Sequence, residues 1–470
     1  MSRPHVAVVG GGLAGITAAI ALGEMGSHVT LLEARPRLGG ATSSFRRGGL
    51  TIDNGQHVFL RCCTAYRGLL RRLGMTGAVS MQDRFDVTVL SPAGGARLRR
   101  SVLPGPLHMA RALAGYGLMS PAARWRAVAA ALAMTRLDPA RAEFDGLRLG
   151  DWLAAHGQDE RARRVLWDLF TVSTLNVAGD DANLALAAKV MRTALLSAND
   201  AADIGVPAVP LGDLHGRAAA GLLGRQGASV RVGAKVAAVE PLPEGGFRLR
   251  LADRGRSVGG RQPAAGLSRR TAESRVVDAD AVVLAVPPPV AAALAPPGVH
   301  AQPDGVDGAP GPQQWRLLGT SPIVNVHVIY DRPVTRLPFV AAVDSPVQWV
   351  FDRTRPSGLR TGQYLAVSLS AADRYIDVPA ARLRQEFLAA LAGLFPAARE
   401  AAVTDFFVTR ERRATLNQVP GCQRMRPPAA TTLPGLVLAG AWTDTGWPDT
   451  MEGAVRSGLN AARALRARQW

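Results

Sequence analysis

The feature that most constrains this chain is Gly10-Gly11-Gly12-Leu13-Ala14-Gly15, set between the apolar run His5–Val9 and the apolar-rich stretch Ile16–Met25. A G-x-G-x-x-G between a buried strand and a helix is a turn built to hold a pyrophosphate. Gly10 permits the tight turn, Gly12 lets backbone approach the phosphates, and Gly15 lets helix and strand pack closely. The helix N-terminus then offers free N–H groups and a partial positive charge. Val29–Leu32 reads as the next strand and ends at Glu33. A carboxylate at that position, about 20 residues past the glycines, accepts hydrogen bonds from a ribose 2′-OH and repels a 2′-phosphate. The chain therefore opens on the βαβ unit of a Rossmann-type dinucleotide domain.

With 470 residues and 47% hydrophobic content, two to three domains are expected. The formal charge is +18 and almost all of it is arginine, since Lys189 and Lys235 are the only lysines. Such an excess is what a GC-rich genome writes, and it also suits an anionic membrane surface. The arginines are spread along the chain with no aromatic-interleaved motif among them, so nucleic acid is not an expected partner. Cys62, Cys63 and Cys422 form neither a disulfide framework nor a C-x-x-C metal pair, which fits a reducing cytoplasm and no metal site. The first apolar run leads straight into a glycine turn, unlike a cleavable signal. No uninterrupted apolar run reaches the roughly 18 residues of a spanning helix.

Farther along, Met109–Leu118, Pro121–Met134 and Glu160–Leu169 carry helical patterns rich in Ala, Leu and Arg. Strands return at Ser229–Val232, Val236–Glu240, Phe247–Leu251 and Val276–Val286, and again at Pro322–Tyr330 and Gln363–Leu369. Ala380–Leu394 reads as an amphipathic helix, and the chain closes with a strand Leu436–Ala439 and a helix from about Met451 to Arg466. Arg254–Arg270 and Pro296–Gln314 read as loops or linkers. The expected fold class is α/β: a Rossmann-type, GR2-like FAD-binding domain with a discontinuous α+β substrate domain. The expected boundaries are 1–80, 215–300 and 415–470 for the first, and 81–214 with 301–414 for the second.

Three further strings carry the cofactor identity. Glu33-Ala34-Arg35-Pro36-Arg37-Leu38-Gly39-Gly40 follows the second strand. Asp53-Asn54-Gly55-Gln56-His57 precedes a short apolar run. Gly440-Ala441-Trp442-Thr443-Asp444-Thr445-Gly446-Trp447-Pro448 leads into Met451-Glu452-Gly453-Ala454. Together with the first glycines, they resemble the flavin amine oxidase and carotenoid desaturase superfamily. The two longer strings narrow the resemblance to the hydroxysqualene dehydroxylases, also called squalene-associated FAD-dependent desaturases. The resemblance implies FAD, held by Gly10, Gly12, Leu13, Ala14, Gly15, Glu33, Ala34, Arg37, Gly39, Gly40, Asn54, Gly55, Gln56, Val236, Gly440, Asp444, Met451 and Glu452. A helix N-terminus at Met451 would face the flavin's pyrimidine edge, where reduced flavin carries negative charge. The superfamily commonly has Arg after the double glycine and an acid after the last-strand glycine. Here these are Ala41 and Ala441, with Arg37 and Asp444 as the nearby groups able to compensate.

The resemblance further implies a C30 isoprenoid substrate, hydroxysqualene, reduced to squalene by hydride from FAD that an external electron donor has reduced. Such a reaction needs an acid, a dry apolar tunnel and a fixed distance to the flavin. His57, Asp53 and Asp444 are the candidate acids. Trp442 and Trp447 either wall the tunnel or pack the core. Residues 103–134 mix Leu103, Leu107 and Trp125 with Arg111, Arg124 and Arg126, a composition suited to the inner face of the cytoplasmic membrane as well as to ordinary substrate-domain helices. Three other readings stay open. They are a phytoene or carotenoid desaturase, a flavin amine oxidase, against which the scarcity of lysine argues, and a scaffold that keeps the fold without catalysis.

Overall fold

Five parallel strands form the sheet on which the chain's first turn sits. β1 (His5–Val9) lies at its centre, between β2 (His28–Glu33) and the strand Ala281–Leu284. Ser229–Val232 and Leu436–Leu438 complete the two edges. The computed structural model describes residues 3–105, 107–252, 275–301 and 310–467. The candidate linker Arg254–Arg270 lies outside these residues, as does 302–309 of Pro296–Gln314. Val6, Val8, Leu31 and Val283 are fully buried, as expected for strands covered on both faces.

One face of this sheet carries α1 (Leu13–Glu24) and the last helix, Met451–Ala467. The two helices touch at Gly458. A Cβ there would stand 2.3 Å from the Ala14 carbonyl oxygen and 2.8 Å from Thr17 Cβ. The other face carries a three-stranded antiparallel sheet, Val236–Pro241, Phe247–Leu251 and Val276–Ala279. The expected single strand Val276–Val286 is therefore two. Asp280 turns the chain from this antiparallel sheet into the parallel one.

A second, seven-stranded sheet is built from Asp86–Ser91, Gly94–Arg99, Thr320–Tyr330, Phe339–Ala342, Trp349–Asp352, Gln363–Leu369 and Val403–Leu416. The helix Ala380–Leu394 packs Leu383, Phe387 and Leu391 onto one face of it. Helices from 110–194 pack elsewhere. Among these, the expected helix Glu160–Leu169 opens into a wider π turn at Arg163–Trp167 before continuing as Asp168–Leu175. The expected helix Met109–Leu118 shortens to Ala110–Ala114. Among the described residues no helix is long and apolar enough to cross a membrane.

Candidate flavin site

The first glycine turn sits at the carboxyl ends of β1 and β2, the switch point where ligands of open α/β sheets bind. Gly10 adopts φ +109°, and a Cβ there would stand 2.2 Å from the Ala285 carbonyl oxygen. At Gly15 a Cβ would lie 1.9 Å from the Gly10 oxygen, which is why the helix can start so close to the strand. At Gly12, by contrast, a Cβ would meet nothing nearer than Gly40 Cα at 3.9 Å. Among the described residues no side chain caps α1, and no acidic residue occupies its first turn. Leu13 and Ala14 thus begin a buried helix whose end amides still need an anionic partner.

Glu33 is buried at the tip of β2. Its Oε2 accepts the Gly11 N–H at 2.6 Å and its Oε1 the Arg35 N–H at 2.7 Å. Gly40, at φ +57°, approaches Gly12 so closely that a Cβ would lie 2.8 Å from its Cα. Gly39 donates its N–H to the Gly11 oxygen at 2.8 Å. The double glycine is thereby folded onto the first turn. Ala34 and Arg37 are exposed, and among the described residues Arg37 reaches only Ser43 Oγ, at 3.5 Å. Val236 is buried in the antiparallel sheet, just past Ala234, whose N–H bonds the Glu33 carbonyl at 2.8 Å.

The segment Asp53–His57 leaves the end of β4 (Leu50–Asp53), which pairs with β3 (Ser44–Arg47), and crosses against the seven-stranded sheet on its way to the short strand Phe59–Leu60. Asn54 Nδ2 donates to the Ala41 carbonyl at 2.8 Å and to Glu411 at 3.1 Å. Its own carbonyl accepts from Asn325 and Thr409, both at 3.3 Å. Close to this crossing, Gln56 Nε2 and Asn325 Oδ1 are buried with no hydrogen-bond partner among the described residues. Buried orphans of this kind mark a place for a polar ligand. His57 is half-buried; its Nδ1 lies 3.2 Å from the Gly55 carbonyl, and burial lowers its proton affinity.

Asp53 is spoken for. It accepts from Ser44 Oγ at 2.6 Å and the Leu211 N–H at 2.9 Å, and it pairs with Arg353 at 2.7 Å. Three donors, one of them a guanidinium, thus tie both of its carboxyl oxygens into the local framework. Asp444 is exposed and bonds the Gly446 N–H at 3.1 Å, closing a turn. Neither fits the role of an acid in a dry cavity. Instead of Asp444, Arg426 braces this loop. It donates to the carbonyls of Ala441, Thr443 and Trp447, each at 2.7 Å. Sequence reasoning missed Arg426, since only the fold brings it under the loop.

The Glu452 carboxylate turns away from the first turn. It accepts the N–H groups of Ala65 and Tyr66 at 3.1 and 2.8 Å, capping α2 (Thr64–Arg72), and pairs with Arg456 at 2.8 Å. Gly440, at φ +139°, gives its N–H to Ser457 Oγ at 2.9 Å, fastening the last strand to the last helix. Met451 opens that helix and is partly buried. Trp442 is core: it bonds the Val286 carbonyl at 2.9 Å and leans on Trp315. Trp447 lies between Lys189 and Arg456, 5.7 and 4.6 Å from its ring.

The open space over Gly12, the uncapped helix and the two buried orphans fit a dinucleotide with a polar ring. Residues 13–466 match the family described as flavin containing amine oxidoreductase. The chain belongs to this family, and its cofactor is FAD. Among characterised relatives it is 29% identical to the hydroxysqualene dehydroxylase of Sinorhizobium fredii, over 97% of each chain. It is 28% identical to that of Rhodopseudomonas palustris, over 98% of each. It is also 24% identical to the zeta-carotene desaturase of Synechocystis, over 99% of this chain and 98% of the other. In fold it resembles the cyclohexylamine oxidase of Brevibacterium oxydans, with a TM-score of 0.71, 20% identity and 100% of both chains covered. The chain is thus a flavin oxidoreductase related to enzymes of isoprenoid metabolism.

Proposed function

We propose that this protein reduces hydroxysqualene to squalene with electrons from FAD. The observation that carries the reading is the end-to-end likeness to two hydroxysqualene dehydroxylases, at 28 and 29% identity. When bound and reduced, FAD supplies a hydride. In this reading the N-terminus of α1 with Gly10, Gly12 and Gly15 takes the pyrophosphate, and Glu33 takes the ribose. Gly39, Gly40, Gly55, Gln56, Gly440 and Met451 lie along the rest of the cofactor, with Val236 near its adenine end. The five-stranded sheet and its helices form the FAD-binding domain (1–80, 215–300, 415–470), and 81–214 with 301–414 form the substrate domain. Neutral His57 and the unpaired amide of Gln56 face the ring, where the residues exclude water and orient the alcohol.

The substrate dissolves in membranes, so the protein must collect it there. Five large apolar side chains, Val102, Leu103, Leu107, Trp125 and Leu132, are exposed within a short stretch, Trp125 to 75% and Val102 to 73%. Exposed Arg111 and Arg126 accompany them. That pairing of apolar tips and cations supports docking on an anionic bilayer at the cytoplasmic face. Trp125→Glu is expected to weaken sedimentation with phosphatidylglycerol vesicles by about ten-fold, the equivalent of one lost buried side chain, while leaving FAD content unchanged.

The decisive assay for the reaction is product analysis after anaerobic incubation of the FAD-loaded protein with a reductant and hydroxysqualene. Squalene formed only with reduced flavin supports the reading. Desaturated product from phytoene, with none from hydroxysqualene, would replace it by the carotenoid desaturase alternative, which the 24% likeness to zeta-carotene desaturase keeps in view.

A further inference from the structure

One face of the long strand Thr320–Tyr330 is apolar, with Val324, Val326 and Val328 filling the core beneath the helix Ala380–Leu394. The opposite face carries Asn325 and His327, both fully buried. His327 is satisfied at both ring nitrogens, by Tyr364 Oη at 2.7 Å and Thr409 Oγ1 at 3.0 Å. Asn325 is satisfied at one end only. Its Nδ2 donates to the Asn54 carbonyl at 3.3 Å. A carbonyl can only accept, so this bond fixes the amide with Oδ1 turned away from Asn54. Among the described residues that buried oxygen has no donor.

The contacts around Asn325 locate this oxygen. Asn54 reaches the Ala41 carbonyl with its Nδ2, at 2.8 Å, and Asn325 with its own carbonyl. Ala41 follows Gly40, which lies against Gly12 of the first turn. A Cβ on Gly55 would stand 3.6 Å from Asn325 Nδ2 and 3.3 Å from His57 Cε1. Asn325 thus belongs to the crossing of Gln56 and His57, where Gln56 Nε2 is a second unpaired buried atom. A valine would suit this strand position better, and a buried amide oxygen without a donor is costly. Asn325 Oδ1 therefore calls for a donor that a ligand brings.

A flavin ring offers two kinds of N–H. N3 carries its hydrogen in either redox state. N5 is a bare acceptor in the oxidised ring and an N–H donor in the reduced one. The N3 edge goes with the start of the last helix at Met451, whereas Asn325 comes from the seven-stranded sheet, on the side of His57 and Gln56. We propose that Asn325 sets the redox balance of the bound cofactor: its Oδ1 accepts the N5–H of the reduced ring and opposes the N5 lone pair of the oxidised one. Hydrogen bonds to ring nitrogens are one means by which a protein tunes a flavin. The inference rests on the ring placement proposed above and is independent of which isoprenoid is the substrate. Reduced FAD is thereby held more tightly than oxidised FAD, and the midpoint potential rises.

Asn325→Leu is close in volume, and the Asn54 carbonyl keeps its bond from Thr409 Oγ1 at 3.3 Å. Potentials are measured on the holoenzyme against a reference dye, without substrate. The preference for reduced over oxidised FAD is expected to fall about ten-fold in Asn325→Leu, a midpoint drop of about 30 mV for a two-electron couple. Affinity for oxidised FAD is expected to hold or improve. An equal loss of affinity in both states, as a bond to N3–H would give, overturns the inference. So does an unchanged potential, as an oxygen facing the substrate would give. A second measurement needs no variant. 5-Deaza-FAD has carbon at position 5 and offers no N–H there when reduced. The unsubstituted protein is expected to raise the potential of FAD over that of the free cofactor by about 30 mV more than it raises that of 5-deaza-FAD. Equal shifts overturn the inference. Absence of squalene in the product assay counts against the dehydroxylase reading alone.

Discussion

Glu33 shows how much one carboxylate can organise. It holds the amides of Gly11 and Arg35, so Glu33→Ala leaves a buried N–H without an acceptor and removes the ribose contact we propose for it. Each such loss is worth ~1–3 kcal/mol, so FAD affinity measured by flavin fluorescence is expected to drop by ten-fold or more. Asp53 behaves differently. Asp53→Asn breaks the buried pair with Arg353, and a loss of about 3–5 kcal/mol in folding stability is expected by denaturant titration. Glu33 was legible because its spacing from the glycines is local. Asp53 was read as a candidate acid because its partner lies 300 residues away in sequence and no motif announces it. Two other residues were silent in the sequence: burial lowers the pKa of His215 and of His327 from 6.5 to about 3. Both stay neutral in the folded chain where the unfolded chain would take protons. Stability is therefore full above pH 6.5 and declines as the pH falls toward 3, by up to ~1.4 kcal/mol per pH unit for each histidine. His327→Gln, which can still bond Tyr364 and Thr409, is expected to give a shallower acid limb in the pH dependence of unfolding; an unchanged limb would refute this assignment.

At the scale of elements, the contact of α1 with the last helix depends on Gly458. Gly458→Leu would drive a side chain into the Ala14 carbonyl and Thr17, and it is expected to lower the thermal midpoint and release FAD together. A variant that keeps both would show that the helices can part without consequence. The flanking strands and both helices were readable because apolar runs bounded by glycine are strong local signals. The long strand Val403–Leu416 was not, since Arg410, Arg412 and Arg413 mask its alternation and its pairing with Thr320–Tyr330 is what defines it. The same limit explains Glu452. Its motif position suggested the cofactor, but its carboxylate caps α2, a helix that sequence reading had not drawn.

At the scale of the molecule, the two ends of the chain close on one another. The first turn at Gly10–Gly15 lies under the last helix, and Asn54 of the segment Asp53–His57 bonds Ala41, next to the double glycine, as well as Glu411 and Thr409 of the seven-stranded sheet. The reaction we propose requires that the alcohol ionise away from water and beside a hydride source. The most direct measurement is anaerobic mixing of the fully reduced holoenzyme with hydroxysqualene, following flavin absorbance and extracted product together. The account predicts that the flavin reoxidises without oxygen and that one squalene forms per flavin. Flavin that stays reduced while hydroxysqualene is recovered intact would contradict it.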